Sequence, residues 1–268
     1  MKSVILVALT LAVATPAAAQ QAQPYKPEVG QQGKDVVWVP TPLELVEKML
    51  DMAKVTPEDF VVDLGSGDGR NVIAAARRGA HGLGVEYNPD MVSLSERRAA
   101  EAGVSDKARF QQGDMFEADF SRATVLALFL MSDNLDLLQS KILDLKPGTR
   151  VVLNTFPVSG WDADETERIE GTCAAWCTSL LYYVPAKVAG IWRLGDGTLA
   201  VAQEFQKISG NLTRNGQTTA IAAGRLRGDQ ITFAVAEATY TGRVNGDTIE
   251  GTRSAGGRTE TFSATRQR

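Results

Sequence analysis

Phe60-Val61-Val62-Asp63-Leu64-Gly65-Ser66-Gly67-Asp68-Gly69-Arg70 is an apolar run that ends in three glycines at alternate positions. A chain passing from a buried strand into a helix through such a loop must turn tightly while leaving its backbone open to a ligand. Glycine serves both needs. A helix follows over Arg70–Arg78, with Val72, Ile73 and Ala76 inward. The spacing narrows the ligand. A dinucleotide loop reads Gly-x-Gly-x-x-Gly and faces a pyrophosphate, whereas here Asp63 stands two residues ahead of the first glycine. No Lys-Ser/Thr pair follows, so a nucleoside-triphosphate loop is excluded.

The pattern on either side of the loop alternates strand and helix. Thr41, Pro42 and Glu44 carry the signals of a capped helix start, with Leu43, Val46, Met49 and Leu50 on one face. Strands are expected at Gly82–Tyr87, Ala108–Gln112, Thr124–Leu130 and Arg150–Phe156, and helices at Asp90–Ala102 and Asp133–Leu143. Such alternation implies a Rossmann-like, doubly wound α/β sheet, with ligands beyond the carboxyl ends of the strands. Leu180–Val184 and Lys187–Leu194 are the candidates for its closing strand pair. Beyond them Asp196-Gly197, Asn215-Gly216 and Asn245-Gly246 punctuate short alternating stretches. Those dipeptides favour tight hairpins and predict a small antiparallel β meander, barrel or sandwich. The expected divisions are 1–19, 20–35 (a flexible lead-in), 36–195 (the α/β domain) and 196–268 (the β domain).

Acids recur at three successive strand ends. Asp63 suits a cation such as the amino group of S-adenosylmethionine and would repel a pyrophosphate. Glu86 can accept hydrogen bonds from both hydroxyls of a ribose. Gly113-Asp114-Met115 places an acid and an apolar side chain where an adenine would lie. Caps and turns explain each acid singly but not all three beside one glycine loop. The expected cofactor set is Asp63, Gly65, Ser66, Gly67, Asp68, Gly69, Glu86, Tyr87, Asp114 and Met115.

Charge and composition limit the alternatives. Residues 20–185 carry 16 Lys+Arg against 25 Asp+Glu, and residues 186–268 carry 11 against 7. Two units of different character are implied, while the overall charge of -4 gives no pull toward nucleic acid. One histidine and two cysteines argue against a structural zinc site, and no metal is expected. His81 has no sequence partner and reads as a solvated turn residue. Lys2, the apolar run Val4–Ala14 and Ala17-Ala18-Ala19 form the pattern of a secretory leader, too short to span a bilayer. The expectation is therefore an exported protein, periplasmic or secreted after cleavage near Ala19, with no transmembrane segment. There a Cys173–Cys177 bridge is chemically allowed, and so is a reduced pair on one helix face.

The loop and its acids resemble class I S-adenosylmethionine-dependent methyltransferases over about residues 36–185. Trp38-Val39-Pro40-Thr41-Pro42, Gly84-Val85-Glu86-Tyr87-Asn88-Pro89, Lys146-Pro147-Gly148 and Phe156-Pro157 are similar to the mitochondrial lysine methyltransferases of the adenine nucleotide translocase and the ATP synthase c-subunit. That resemblance implies lysine N-methylation of a protein, or of another amine, with S-adenosylmethionine held by the residues above. The leader and the carboxyl-terminal β unit have no counterpart there. No catalytic residue is singled out, because a direct displacement depends more on alignment than on acid-base help. Acceptor-side candidates are Trp38, Thr41, Asp133 and Trp161, although Asp133 also stands where a helix cap belongs. A cofactor-binding protein without turnover, and an interaction protein acting through the β unit, remain the competing readings.

Overall fold

The computed structural model describes residues 25–171 and 173–267; the expected leader lies outside them. A seven-stranded sheet and a closed barrel follow one another along the chain.

The first unit runs α1 (Leu43–Met52), β1 (Phe60–Leu64), α2 (Arg70–Arg77), β2 (His81–Glu86), α3 (Pro89–Glu101), β3 (Ala108–Gln112), β4 (Val125–Leu128), α4 (Ser132–Leu143), β5 (Arg150–Asn154), β6 (Glu165–Arg168) and β7 (Thr178–Tyr183). The strand order is β3-β2-β1-β4-β5-β7-β6. Strands β1 to β5 are parallel, and β7 runs antiparallel to both β5 and β6. The central strands are apolar throughout because both faces are covered. Val61, Val125 and Val152 face α1 and α2, packing with Leu45, Met49, Leu50 and Ala75. Their neighbours Val62, Leu126 and Val151 face the other way, toward Leu135, Leu138 and Ile142 of α4. Residues adjacent in a strand point to opposite faces, so one chain segment feeds two cores.

Three expectations change here. Pro42, not Thr41, occupies the cap position of α1, with no side-chain cap bond. The Thr41 side chain turns inward instead and accepts a hydrogen bond from Asn154 Nδ2 at 3.3 Å. Asp133 is no cap either. It lies exposed in the first turn of α4, whose cap position is Met131. Lastly, the closing strand pair is β6 with β7, reached from β5 by a crossover that contains no helix. The polar sequence Glu165-Thr166-Glu167-Arg168 gave no strand signal because β6 is an edge strand, open to water.

Of the two candidates for the closing pair, Leu180–Val184 falls on β7, whereas Lys187–Leu194 belongs to the barrel. Its strands are β8 (Gly190–Leu194), β9 (Gly197–Glu204), β10 (Lys207–Arg214), β11 (Gln217–Arg227), β12 (Gln230–Val235), β13 (Ala238–Asn245), β14 (Thr248–Ala255) and β15 (Arg258–Arg266). β15 pairs with β8, closing the ring. Trp192, Phe233, Tyr240 and a set of small aliphatic residues fill the interior. Phe233 and Tyr240 stack at 4.7 Å, and Trp192 Nε1 donates to the Val188 carbonyl at 2.8 Å. The Asn215-Gly216 turn has positive φ at both positions, 54° and 74°, as a two-residue hairpin requires.

The opposite charges of the two units meet at their junction. Arg225 pairs with Asp164 at 2.7 Å, Lys207 with Asp162 at 2.5 Å, and Arg227 with Glu165. Arg227 also lies over the Tyr183 ring at 4.4 Å. Beneath these pairs Trp161 stacks on Phe205 at 5.6 Å and packs against Tyr182 at 5.0 Å. Burial raises the Tyr182 hydroxyl to about 12.

Candidate functional site

The carboxyl ends of β1, β2 and β3 face a cleft in two adjoining chambers. The first is lined by Asp63, Gly65, Ser66, Gly67, Asp68, Asn71 and Glu86, together with Trp38, Thr41 and Phe129. The second is lined by Gly65, Glu86, Tyr87, Gly113, Asp114 and Met115, together with Lys34 and Val36. Gly65 and Glu86 belong to both and mark the neck between them.

The glycine loop is locked from behind. Gly65 and Ser66 both donate their amides to the Val85 carbonyl, at 2.8 and 3.0 Å, which fixes the loop against β2. Gly67 has φ 53°, and a Cβ there would stand 2.6 Å from Trp38 Nε1. Only glycine therefore lets the indole lie on the loop. Gly69, with φ 78°, occupies the cap position of α2 and lines neither chamber, so its role is the turn. A Cβ on Gly84 would lie 2.6 Å from Ser66 Oγ, so that hydroxyl points under the loop toward β2. It is buried, with no hydrogen-bond partner among the described residues. Ser66 thus belongs to the wall through its backbone.

The acids differ in their commitments. Glu86 accepts the amides of Gly67 and Asn88, each at 2.9 Å, one on each carboxylate oxygen. Each oxygen keeps a lone pair, so a vicinal diol can still be bound. Asp63 is 4% exposed and accepts from Asn71 Nδ2 at 3.1 Å. Burial pushes its carboxyl well above the ordinary range. The nearby charges of Glu86 and Asp68 add to this, against the opposing Asn71 bond and Arg70 charge. Among the described residues Asp63 forms no ion pair, and a buried acid in that position calls for a cationic ligand. Asp68 has two cations already, Arg70 (Nε to Oδ1 at 2.8 Å) and Arg98. Burial would raise it, but these bonds and charges outweigh burial and hold it below the usual value. Asp68 therefore acts as a brace that ties α2 to α3. Asp114 is held low by its Lys34 hydrogen bond and by the Phe116 amide at 2.9 Å. Lys34 also stands 5.4 Å over the Tyr87 ring.

Trp38 reaches the site from a strap over residues 30–39 that crosses the cleft. Gly30 donates to the Trp38 carbonyl and Trp38 to the Gln31 carbonyl, both at 2.9 Å. The apolar run Val36–Val39 lies in this turn, where Val37 forms an isolated bridge with Gln32. Within the lead-in, expected to be flexible, residues Gln31 to Asp35 form part of the cleft wall. Two acceptor-side candidates lie elsewhere. Asp133 is on the surface, and Trp161 is 2% exposed in the junction between the units. Asn71 had one sequence signal that went unused, a polar residue on the inward face of an apolar helix. Lys34, Arg98 and Phe129 had none, because their neighbours at the site are remote in sequence. The cysteines are bonded, Cys173 to Cys177.

S-adenosylmethionine fits the order of these groups. An ammonium would meet Asp63, the ribose hydroxyls Glu86, and the purine the pocket of Met115, Tyr87 and Asp114. Among the described residues no helix is long and apolar enough to cross a membrane.

Residues 63–165 match the ANTKMT methyltransferase domain. A protein-lysine N-methyltransferase of Saccharolobus islandicus (strain REY15A) is 40% identical over 138 residues, covering 50% of this chain and 86% of that protein. The lysine N-methyltransferase of the ATP synthase c-subunit from Mus musculus is 36% identical over 140 residues, 52% of this chain and 56% of that one. Thus the chain spans little more than half the length of the mouse relative. An RNA methyltransferase from Salinibacter ruber, solved in complex with S-adenosyl-L-homocysteine, is 43% identical with a TM-score of 0.53. The match covers 56% of this chain and 96% of that one. The barrel lies outside the matched domain.

Proposed function

This chain belongs to the family of S-adenosylmethionine-dependent methyltransferases built on the ANTKMT methyltransferase domain, and we propose that it methylates a protein lysine outside the cytoplasm. Bound in this cleft, S-adenosylmethionine would supply an electrophilic methyl carbon: a deprotonated amine would form the N–C bond as the S–C bond breaks with its electron pair going to sulfur, leaving a methylated ammonium and S-adenosylhomocysteine. The chain's residues hold and align. Asp63 takes the amino group, Glu86 the ribose, and the Asp114 chamber the adenine. The fixed loop sets their spacing, and alignment of this kind is the main contribution to such a displacement.

One observation carries the choice of lysine over a polyanion, since relatives bearing both names exist. The unit that holds the cofactor has an excess of nine acidic residues, and the basic residues of the barrel nearest to it are spent on Asp162, Asp164 and Glu165. A phosphate backbone needs unspent lysine and arginine. Export is supported by the leader pattern at Lys2–Ala19 and by the bonded cysteines, which accord with an oxidising compartment.

The test is methyl transfer from tritiated S-adenosylmethionine to a periplasmic extract and, separately, to total RNA from the source organism. Label recovered as methyl-lysine after acid hydrolysis supports the reading. Label in nucleosides, or none in either pool, overturns it.

A further inference from the structure

Beside the first chamber lies an apolar mouth lined by Val36, Val37, Val39, Phe129, Leu130, Met131, Phe156 and Trp176. Val36, Val37, Val39 and Phe129 line the cofactor cleft as well, so the two spaces share a wall. Phe129 stacks on Phe156 at 6.0 Å and meets Trp176 at 6.0 Å. Val37, Met131 and Trp176 are open to water, at 45%, 53% and 41% exposure, although each is strongly apolar. An exposed apolar patch joined to a cofactor cleft marks a binding surface.

Trp176 is held there by an unusual local structure. It has φ 53°, a left-handed conformation that a bulky residue rarely adopts. The bond between Cys173 and Cys177 closes the loop around it, and Cys177 is anchored in the core with its carbonyl accepting from the Ile169 amide at 3.0 Å. The loop follows the matched domain in sequence.

We propose that the loop from Cys173 to Cys177 presents Trp176 as the outer wall of an acceptor mouth, which takes a lysine flanked by apolar residues. The proposal rests on the lysine reading above and names the kind of segment that carries the lysine. Among the described residues no carboxylate lines the mouth. Entry of the lysine stem therefore strips water from the ammonium without offering it a counter-charge, which favours loss of its proton to solvent and leaves a neutral nucleophile. The exposed rim of Val37, Met131 and Trp176 meets the residues on either side of the lysine, and apolar neighbours gain from burial there.

Two peptides test this, acetyl-Ala-Leu-Lys-Leu-Ala-amide and acetyl-Ala-Ser-Lys-Ser-Ala-amide, with the full chain and saturating S-adenosylmethionine. The leucine peptide should show kcat/KM about tenfold higher, carried by KM. Trp176→Ala should remove most of that preference, Trp176→Phe should keep it, and cofactor affinity should be the same in all three proteins. Replacing both Cys173 and Cys177 by serine should act in the direction of Trp176→Ala, as should a reductant on the unaltered chain but not on the serine pair. No preference, or a preference that survives Trp176→Ala, overturns the proposal and leaves the lysine reading standing. If neither peptide accepts a methyl group, the lysine reading falls, and binding of both peptides to protein loaded with S-adenosylhomocysteine decides the mouth. Binding of the leucine peptide that Trp176→Ala abolishes keeps it; no binding overturns it too.

Discussion

Glu86 Oε2 accepts the amide of Gly67 at 2.9 Å, so the acid that ends β2 is hydrogen-bonded to the loop that ends β1. One carboxylate thus sets the shape of the loop and faces the cofactor. Glu86→Ala should lose both functions and weaken S-adenosylmethionine binding by about 2–5 kcal/mol, enough to erase a micromolar affinity in calorimetry. Glu86→Gln keeps an acceptor for Gly67 and should fall between. Equal affinity of a folded Glu86→Ala protein would remove Glu86 from the site.

Asp63 makes cofactor binding depend on pH. Its folded-state proton is held more tightly than the unfolded value of 3.8, so the folded chain binds more protons than the unfolded one in the window above that value. This group's contribution to stability is therefore full at acid pH and is lost as pH rises through the raised value. A cationic ligand reverses the preference and expels the proton. Calorimetry of S-adenosylmethionine binding in buffers of different ionisation enthalpy should show proton release at a pH below the raised value and none well above it. Asp63→Asn should raise the apo Tm at neutral pH, yet weaken cofactor binding by about 10- to 100-fold.

Trp161 separates a packing role from an acceptor role. Its position between Phe205 and Tyr182 predicts that Trp161→Ala costs about 3–5 kcal/mol of stability in denaturant titration. Cofactor affinity at a temperature where the variant is folded should be unchanged. A loss of affinity without a loss of stability would return Trp161 to the site.

The unit boundary is also testable. Because β8 closes the barrel, a fragment of residues 25–186 has a complete sheet, whereas 25–195 carries a severed strand with Ile191 and Trp192 exposed. The shorter fragment should stay soluble and bind S-adenosylmethionine, and the longer one should aggregate at equal concentration in light scattering. The reverse order would place β8 with the sheet.

Local signals were strong wherever they were also structural requirements. The glycine loop, the acids at Asp63, Glu86 and Asp114, and the hairpin dipeptides could be read because φ, charge and period leave few alternatives there. Strands β1 and β3 fell on their expected residues, and the other parallel strands lie close to theirs, with ends displaced by a residue or two at most. What failed was decided by distant partners. Asp68 lines the cleft, yet only the approach of Arg98 from α3 turns it from ligand to brace. Thr41 carries every sign of a cap until Asn154 takes its hydroxyl. Lys187–Leu194 alternates equally well for a sheet edge or a barrel strand, and ring closure with β15 decided between them. The charge split did correspond to a physical feature, the line of ion pairs between the units.

The strap over residues 30–39 is a single wall with a chamber on each side. Val36, Val37 and Val39 cannot move for one occupant without moving for the other, so the two binding equilibria are linked and each ligand changes the other's affinity by the same factor. A strap that has settled against a bound cofactor leaves the mouth formed, which favours the cofactor as leading substrate. Initial-rate kinetics should then show a non-methylatable acceptor analogue inhibiting uncompetitively against S-adenosylmethionine, the signature of an obligatory order written into one short stretch of backbone.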